Sequence, residues 1–122
     1  MKNKYSGRIT ALLDLAAPKL AATHRIEFKN VFGAVGGYVD GRIFISCGTF
    51  GIALRLPPNV LEVLFEEQGA RRLRYFPKGH IKKEYAVIPG RILKDASEVG
   101  RLLDESVRYV LATLTYAVAM RG

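Results

Sequence analysis

Tryptophan is absent from the 122 residues, and cysteine, histidine and methionine are scarce at one, two and two. A single cysteine, Cys47, cannot close an intramolecular disulfide, so a disulfide-stapled secreted scaffold is excluded and a reducing, cytoplasmic setting is expected. His24, His80 and Cys47 stand far apart along the chain, with none at a spacing of three or four from another. That leaves no ligand cluster of usual metal-site spacing, and no metal or cofactor is expected. The longest apolar run, Tyr109 to Met120, has 12 residues, short of the roughly 18 that a bilayer-spanning helix needs. Asp14 interrupts the N-terminal apolar stretch, where Ile9, Leu12, Leu13, Ala16 and Leu20 fall at helical spacing. An amphipathic helix of the mature protein is expected there, not a secretion signal.

What is present is an ordinary globular composition, 49% hydrophobic and 25% charged, enough for one domain over residues 1–122. The charge is uneven in sign: 19 Lys and Arg against 11 Asp and Glu leave a formal +8. Six of those cations, Arg71, Arg72, Arg74, Lys78, Lys82 and Lys83, fall in one short segment with a single anion, Glu84. Tyr75, Phe76 and Tyr85 lie among them. Cations interleaved with rings on a hairpin suit a phosphate backbone and its bases, which makes these six the candidate anion- or nucleic-acid-binding residues. The alternative is a solvated basic face with nothing bound.

Periodicity predicts a helix over 6–17, ended near Pro18, then a connector over 21–30. Three strands follow. Over 34–39, Val35 and Val39 share a face; over 42–47, Ile43, Ile45 and Cys47 face one way and Phe44 and Ser46 the other. In the third, Phe50, Ile52, Leu54 and Leu56 alternate with Gly51, Ala53 and Arg55. Asp40-Gly41 is the dipeptide of a type I′ turn, and Gly48-Thr49 is the expected second turn. Pro57-Pro58 opens a helix carrying Leu61, Leu64 and Phe65 inward and ending at Gly69. Two strands near 72–76 and 82–88 come next, placing Arg72 and Arg74 on one face. A long helix then starts at Asp95, with Glu98 as the reciprocal member of a capping box. The order α-β(3)-α-β(2)-α implies an α+β two-layer sandwich on an antiparallel sheet.

Other chemistry has little support. The glycines at 33, 36, 37 and 41 run into a strand and a hairpin, not into the helix that a phosphate-binding loop requires. Cys47 shares a strand face with Ile43 and Ile45 and has no helix N-terminus after it to activate a thiolate, so a buried apolar role is expected. Glu62, Glu66 and Glu67 sit opposite an apolar helix face and read as solvated. No catalytic residue is assigned, and a cysteine-dependent enzyme using Cys47 is the remote alternative. The end of the last helix is apolar on most sides. Val110, Leu114, Ala117 and Val118 are the candidate face of a homodimer.

The run Val31-Phe32-Gly33-Ala34-Val35-Gly36-Gly37-Tyr38-Val39-Asp40-Gly41-Arg42-Ile43-Phe44 resembles the signature of the TfoX N-terminal domain family. Phe32, Gly33, Gly36, Tyr38, Asp40, Gly41 and Phe44 match it in register. Tyr75, Gly79, Tyr85 and Pro89 match the second half, so the resemblance spans about Leu12 to Tyr109. Val31, Ala34, Val35 and Gly37 depart from it, Gly37 standing where the family carries a larger residue. The resemblance implies a stand-alone copy of an α+β domain that, in the namesake competence regulator, precedes a second domain. It implies a non-enzymatic regulatory or binding module acting through protein and nucleic-acid contacts, with no cofactor and no catalytic residues. A homodimeric protein-binding adaptor without a nucleic-acid role is the rival reading.

Overall fold

Two β-turns set the geometry of the sheet. Phe32-Gly33 and Asp40-Gly41 each place both residues at positive φ, 50° and 82° in the first and 48° and 84° in the second. That is the type I′ geometry whose twist matches the strands it joins. The computed structural model of the chain describes the backbone over residues 3–121 and side chains as far as residue 112. The strands that the turns connect are β1 (Ile26–Val31), β2 (Ala34–Val39) and β3 (Arg42–Gly48). β4 (Gly51–Arg55), β5 (Arg71–Leu73) and β6 (Lys82–Val87) complete a six-stranded sheet in the order β1-β2-β3-β4-β6-β5, every neighbouring pair antiparallel.

β1 occupies most of what reads as a connector, so the meander has four strands, not three. Only its neighbour on one side is a strand, and its residues are half-buried or exposed throughout, which is why no apolar alternation announces it. The second turn is Thr49-Phe50, closed by the Gly48–Gly51 pair, one residue later than expected. Phe50 is consequently a turn residue packed on the opposite face from Ile52, Leu54 and Leu56.

The alternation in β3 is also broken. Its pairing with β2 slips between Gly37 and Tyr38, Gly37 opposing Ile45 and Tyr38 opposing Ile43. Phe44 is therefore an extra residue with no opposite partner on β2. A bulge of this kind advances the side-chain phase by one. Phe44 joins Ile45 and Cys47 in the core, fully buried, while Ile43 is left half-buried on the other face. Gly37 opposes Ile45 so closely that a Cβ there would lie 2.5 Å from Ile45 Cγ2. This contact accounts for glycine where the family signature has a larger residue.

The helices cover one face. α1 (Lys4–Ala16) is capped by Asn3, whose Oδ1 accepts from Tyr5 N at 2.8 Å, and buries Ile9, Leu12 and Leu13. The short α2 (Leu20–Thr23) follows Pro18. α3 (Pro58–Glu67) buries Leu61 and Leu64. After the single turn of α4 (Gly90–Leu93) comes α5 (Ala96–Arg121). Asp95 Oδ1 accepts from Glu98 N at 3.1 Å, half of the expected capping box, while the Glu98 carboxylate pairs with Arg101 at 2.7 Å instead of returning to the cap. Buried side chains of all these helices except α2 form one core with the inner face of the sheet, giving an α+β fold of two layers. Val110 of the expected dimer face is fully buried in that core. Leu114, Ala117 and Val118 of the expected dimer face lie outside the residues whose side chains are described. No helix among the described residues is long and apolar enough to cross a membrane.

Candidate functional site

Among the described residues, the outer face of the sheet carries no helix. Gly36, Ser46 and Ala53 stand side by side across β2, β3 and β4, with Val87 of β6 next in the row. Side chains this small leave a trough, and the segment after β5 lies across it. Tyr75 donates its hydroxyl to Ser46 Oγ at 3.1 Å. Phe50 meets the Tyr75 ring edge-on at 5.7 Å between centroids. Phe32 lies 5.5 Å from Tyr75 on another side, and Phe76 lies 5.8 Å beyond Phe32. The result is a row of four rings, Phe50–Tyr75–Phe32–Phe76, of which Phe50 and Tyr75, with Tyr85, pack on a small second core of Ala53, Leu73 and Val87. The two rings at its far end are open to solvent, Phe32 at 62% and Phe76 at 54%.

Phe32 is the anomaly in this row. A left-handed backbone costs a non-glycine residue roughly 1–2 kcal/mol, and bulky side chains are rare there. Here the turn conformation aims the ring outward, over the sheet and toward Tyr75 and Phe76. Lys82 Nζ stands 5.9 Å from the Phe32 ring and 6.0 Å from that of Tyr75, within cation–π range. At the other end of the face Lys29 Nζ is 4.9 Å above Tyr38.

The six hairpin cations do not converge on one patch. Lys82 belongs to the ring row. Arg71 holds Phe50 O at 3.2 Å, and Arg74 holds Gly79 O at 3.2 Å, so both brace the segments that carry the rings. Arg74 is outside β5, which ends at Leu73, and is not aligned with Arg72 along a strand. Arg72 turns to the helix side, its guanidinium carbon 4.3 Å from the Phe65 ring centre. With Lys83 it lines a depression of about 360 Å³ that also contains Glu62, Glu66 and Glu84. Cations there face carboxylates and offer little to a phosphate. Lys78 is exposed at the turn.

The family motif residues are now placed. Phe32 and Gly33 form one turn, and Asp40 and Gly41 the other. Asp40 Oδ1 accepts from Arg25 N at 2.9 Å, clamping the start of β1. Gly36 contributes to the trough, Tyr38 to the Lys29 contact, and Phe44 to the bulge in the core. Cys47 is fully buried, and burial pushes its thiol up against a weaker opposing effect of Arg8, a poor setting for a thiolate. His24 Nδ1 is engaged with Thr23 Oγ1 at 2.8 Å. Among the described residues no group of three or more His, Cys, Asp or Glu side chains is placed to hold a metal ion.

A model of the TfoX N-terminal domain matches residues 19–110. The chain belongs to the TfoX N-terminal domain family. No curated protein and no solved structure matches it. The match begins after α1, although α1 supplies Ile9, Leu12 and Leu13 to the core. The TfoX N-terminal domain here is thus the six-stranded sheet with α2, α3, α4 and the first part of α5.

One polar constellation has no counterpart in the sequence reading. Glu84 accepts from Tyr109 at 2.6 Å and from Arg55 at 3.3 Å, tying β4, β6 and α5 together at the end of the TfoX N-terminal sheet. The bond to Glu84 and burial raise the Tyr109 hydroxyl pKa, and burial above all pushes Tyr85 well above the usual tyrosine value. Both protons are held more tightly folded than unfolded, so the unfolded chain releases them first as pH rises. Their contribution to stability should be intact below the ordinary value of 10.0 and decline above it. A urea denaturation series read against tyrosinate absorbance should show the loss beginning there; a stability that stays level through full ionisation would contradict these assignments.

Proposed function

We propose that this protein is a non-enzymatic regulatory module acting in gene regulation in the cytoplasm, and that its outer sheet face engages unpaired bases of a single-stranded nucleic acid. The observation that carries this reading is Phe32, held in a left-handed turn with 62% of its surface in water. A strained, exposed aromatic beside a second exposed ring and a lysine is expensive for a surface with nothing to bind. Bases stack on such rings regardless of sequence, and the backbone phosphates find Lys82 alongside. A duplex hides its bases, so the face favours single strands over duplex. The buried thiol supports a binding role over one that uses Cys47 as a nucleophile.

The test is a salt titration with a fluorescent single-stranded oligonucleotide and its duplex. Single strands should bind more tightly, and the logarithm of the affinity should fall linearly with that of the salt concentration, with a slope of about −0.7 per neutralised phosphate. No affinity for either form at low salt would sink the nucleic-acid reading.

A further inference from the structure

The two edges of the sheet are treated differently. β5 is three residues long, interrupted by a register shift, and lined by the exposed Arg71 and Arg72. Shortness, a bulge and like charges are the usual means of keeping an edge from pairing with another chain. β1 has none of them. It runs six residues in unbroken register with β2 and contains no proline. Its two charges are of opposite sign, Glu27 and Lys29. We propose that β1 is the contact edge of a symmetric homodimer, in which it pairs antiparallel with β1 of a second copy and joins two sheets into one of twelve strands.

The register follows from the backbone. Asp40 N donates to Arg25 O, and the Phe32-Gly33 turn is closed by Val31 and Ala34. Hydrogen-bonded pairs with β2 therefore fall at alternate positions from Arg25 to Val31. The N–H and C=O groups of Ile26, Phe28 and Asn30 point away from β2 into solvent. An antiparallel partner aligned on these groups places Phe28 opposite its own copy and Ile26 opposite Asn30, with about six hydrogen bonds across the dyad. Glu27 then faces Lys29 of the second copy twice, in the non-hydrogen-bonded positions where side chains approach most closely. Phe28, 38% exposed, gains its copy as cover. A hollow of about 170 Å³ lined by Asn3, Ser6, Phe28, Lys29, Asn30 and Val35 separates the start of α1 from the strand, leaving the helix side open. A second copy is the occupant that the charges select: the strand is complementary to itself in the one register that its free backbone groups allow.

Charge reversal tests this without touching the core. Lys29→Glu sets Glu27 against a glutamate in both pairs, and Glu27→Lys sets lysine against lysine. Each variant should weaken the dimer at least about tenfold in sedimentation equilibrium. Mixed together, the two variants restore opposite charges at both pairs and should form a heterodimer with an affinity near that of the parent. Independently, the Ile26, Phe28 and Asn30 amides of the unaltered chain should gain hydrogen-exchange protection as concentration rises. A parent that stays monomeric overturns the proposal. So does a dimer whose strength ignores both reversals and whose β1 amides stay unprotected, which would place the interface elsewhere.

Discussion

Replacing Phe32 with asparagine should leave the chain about as stable as before while removing most of its affinity for single-stranded nucleic acid. The two effects have separate sources. Asparagine tolerates the left-handed conformation that the first position of a type I′ turn demands, so the substitution relieves a backbone cost of roughly 1–2 kcal/mol. Against this stand the lost ring contacts with Tyr75 and Phe76, worth roughly 0.5–1.5 kcal/mol each and less at a ring that is 62% exposed. The balance should sit within about 1 kcal/mol of zero. Stacking of a base contributes about 1–3 kcal/mol, so affinity should drop about ten- to a hundredfold. Lys82→Gln should act differently, lowering affinity modestly and reducing the salt slope by about one phosphate's worth. Thermal melts together with oligonucleotide titrations decide the matter. If Phe32→Asn lowers Tm by many degrees and leaves binding intact, Phe32 is a cover for Tyr75 and not a platform.

The elements that were legible in the sequence are those whose signal is local. Asp40-Gly41 imposes its turn whatever surrounds it, and the apolar stripe from Val99 to Val110 belongs to a helix in any fold. β1 was illegible because an edge strand with one strand neighbour and no fully buried residue needs no apolar alternation. The bulge was illegible for another reason. Nothing in Ile43-Phe44-Ile45 marks where the period of two slips, and the slip depends on Gly37 of the facing strand. Carrying strict alternation through it assigns Phe44 and Ile43 to the wrong faces.

The candidate site divides in the same way. Lys82, Tyr75 and Phe76 lie in the basic segment and were open to view. Their grouping with Phe32 and Phe50 was not, because it joins three turns distant in sequence over a trough that exists only once β2, β3 and β4 align Gly36, Ser46 and Ala53. One sequence signal could have pointed to it: a phenylalanine where a two-residue turn before glycine ordinarily carries asparagine or aspartate. The spread of Arg72 and Lys83 to the helix side was beyond reach, since the register shift in β5 and the break at Arg74 decide which way those cations turn.

Removing the Phe44 side chain should be the most damaging single change in the core. Phe44 is fully buried, and truncation to alanine should cost about 3–5 kcal/mol, a large share of the roughly 5–15 kcal/mol that holds a domain of this size together. Its backbone adds a second dependence. Phe44 bulges out of register with β2, and its carbonyl accepts from Ser106 Oγ of α5 at 2.9 Å, both residues fully buried. Serine in an otherwise apolar stripe is thereby explained: its hydroxyl ties α5 to the backbone of β3 at the bulge. Ser106→Ala removes that hydrogen bond and should cost about 0.5–1.5 kcal/mol, the net worth of one intramolecular bond. The two losses should not add. With the Phe44 ring gone the bulge can relax and turn its carbonyl elsewhere, so the double variant should be less destabilised than the sum of the two single ones. Urea denaturation of the four chains measures the cycle. A neutral Ser106→Ala would mean that α5 is held to the bulge by apolar packing alone.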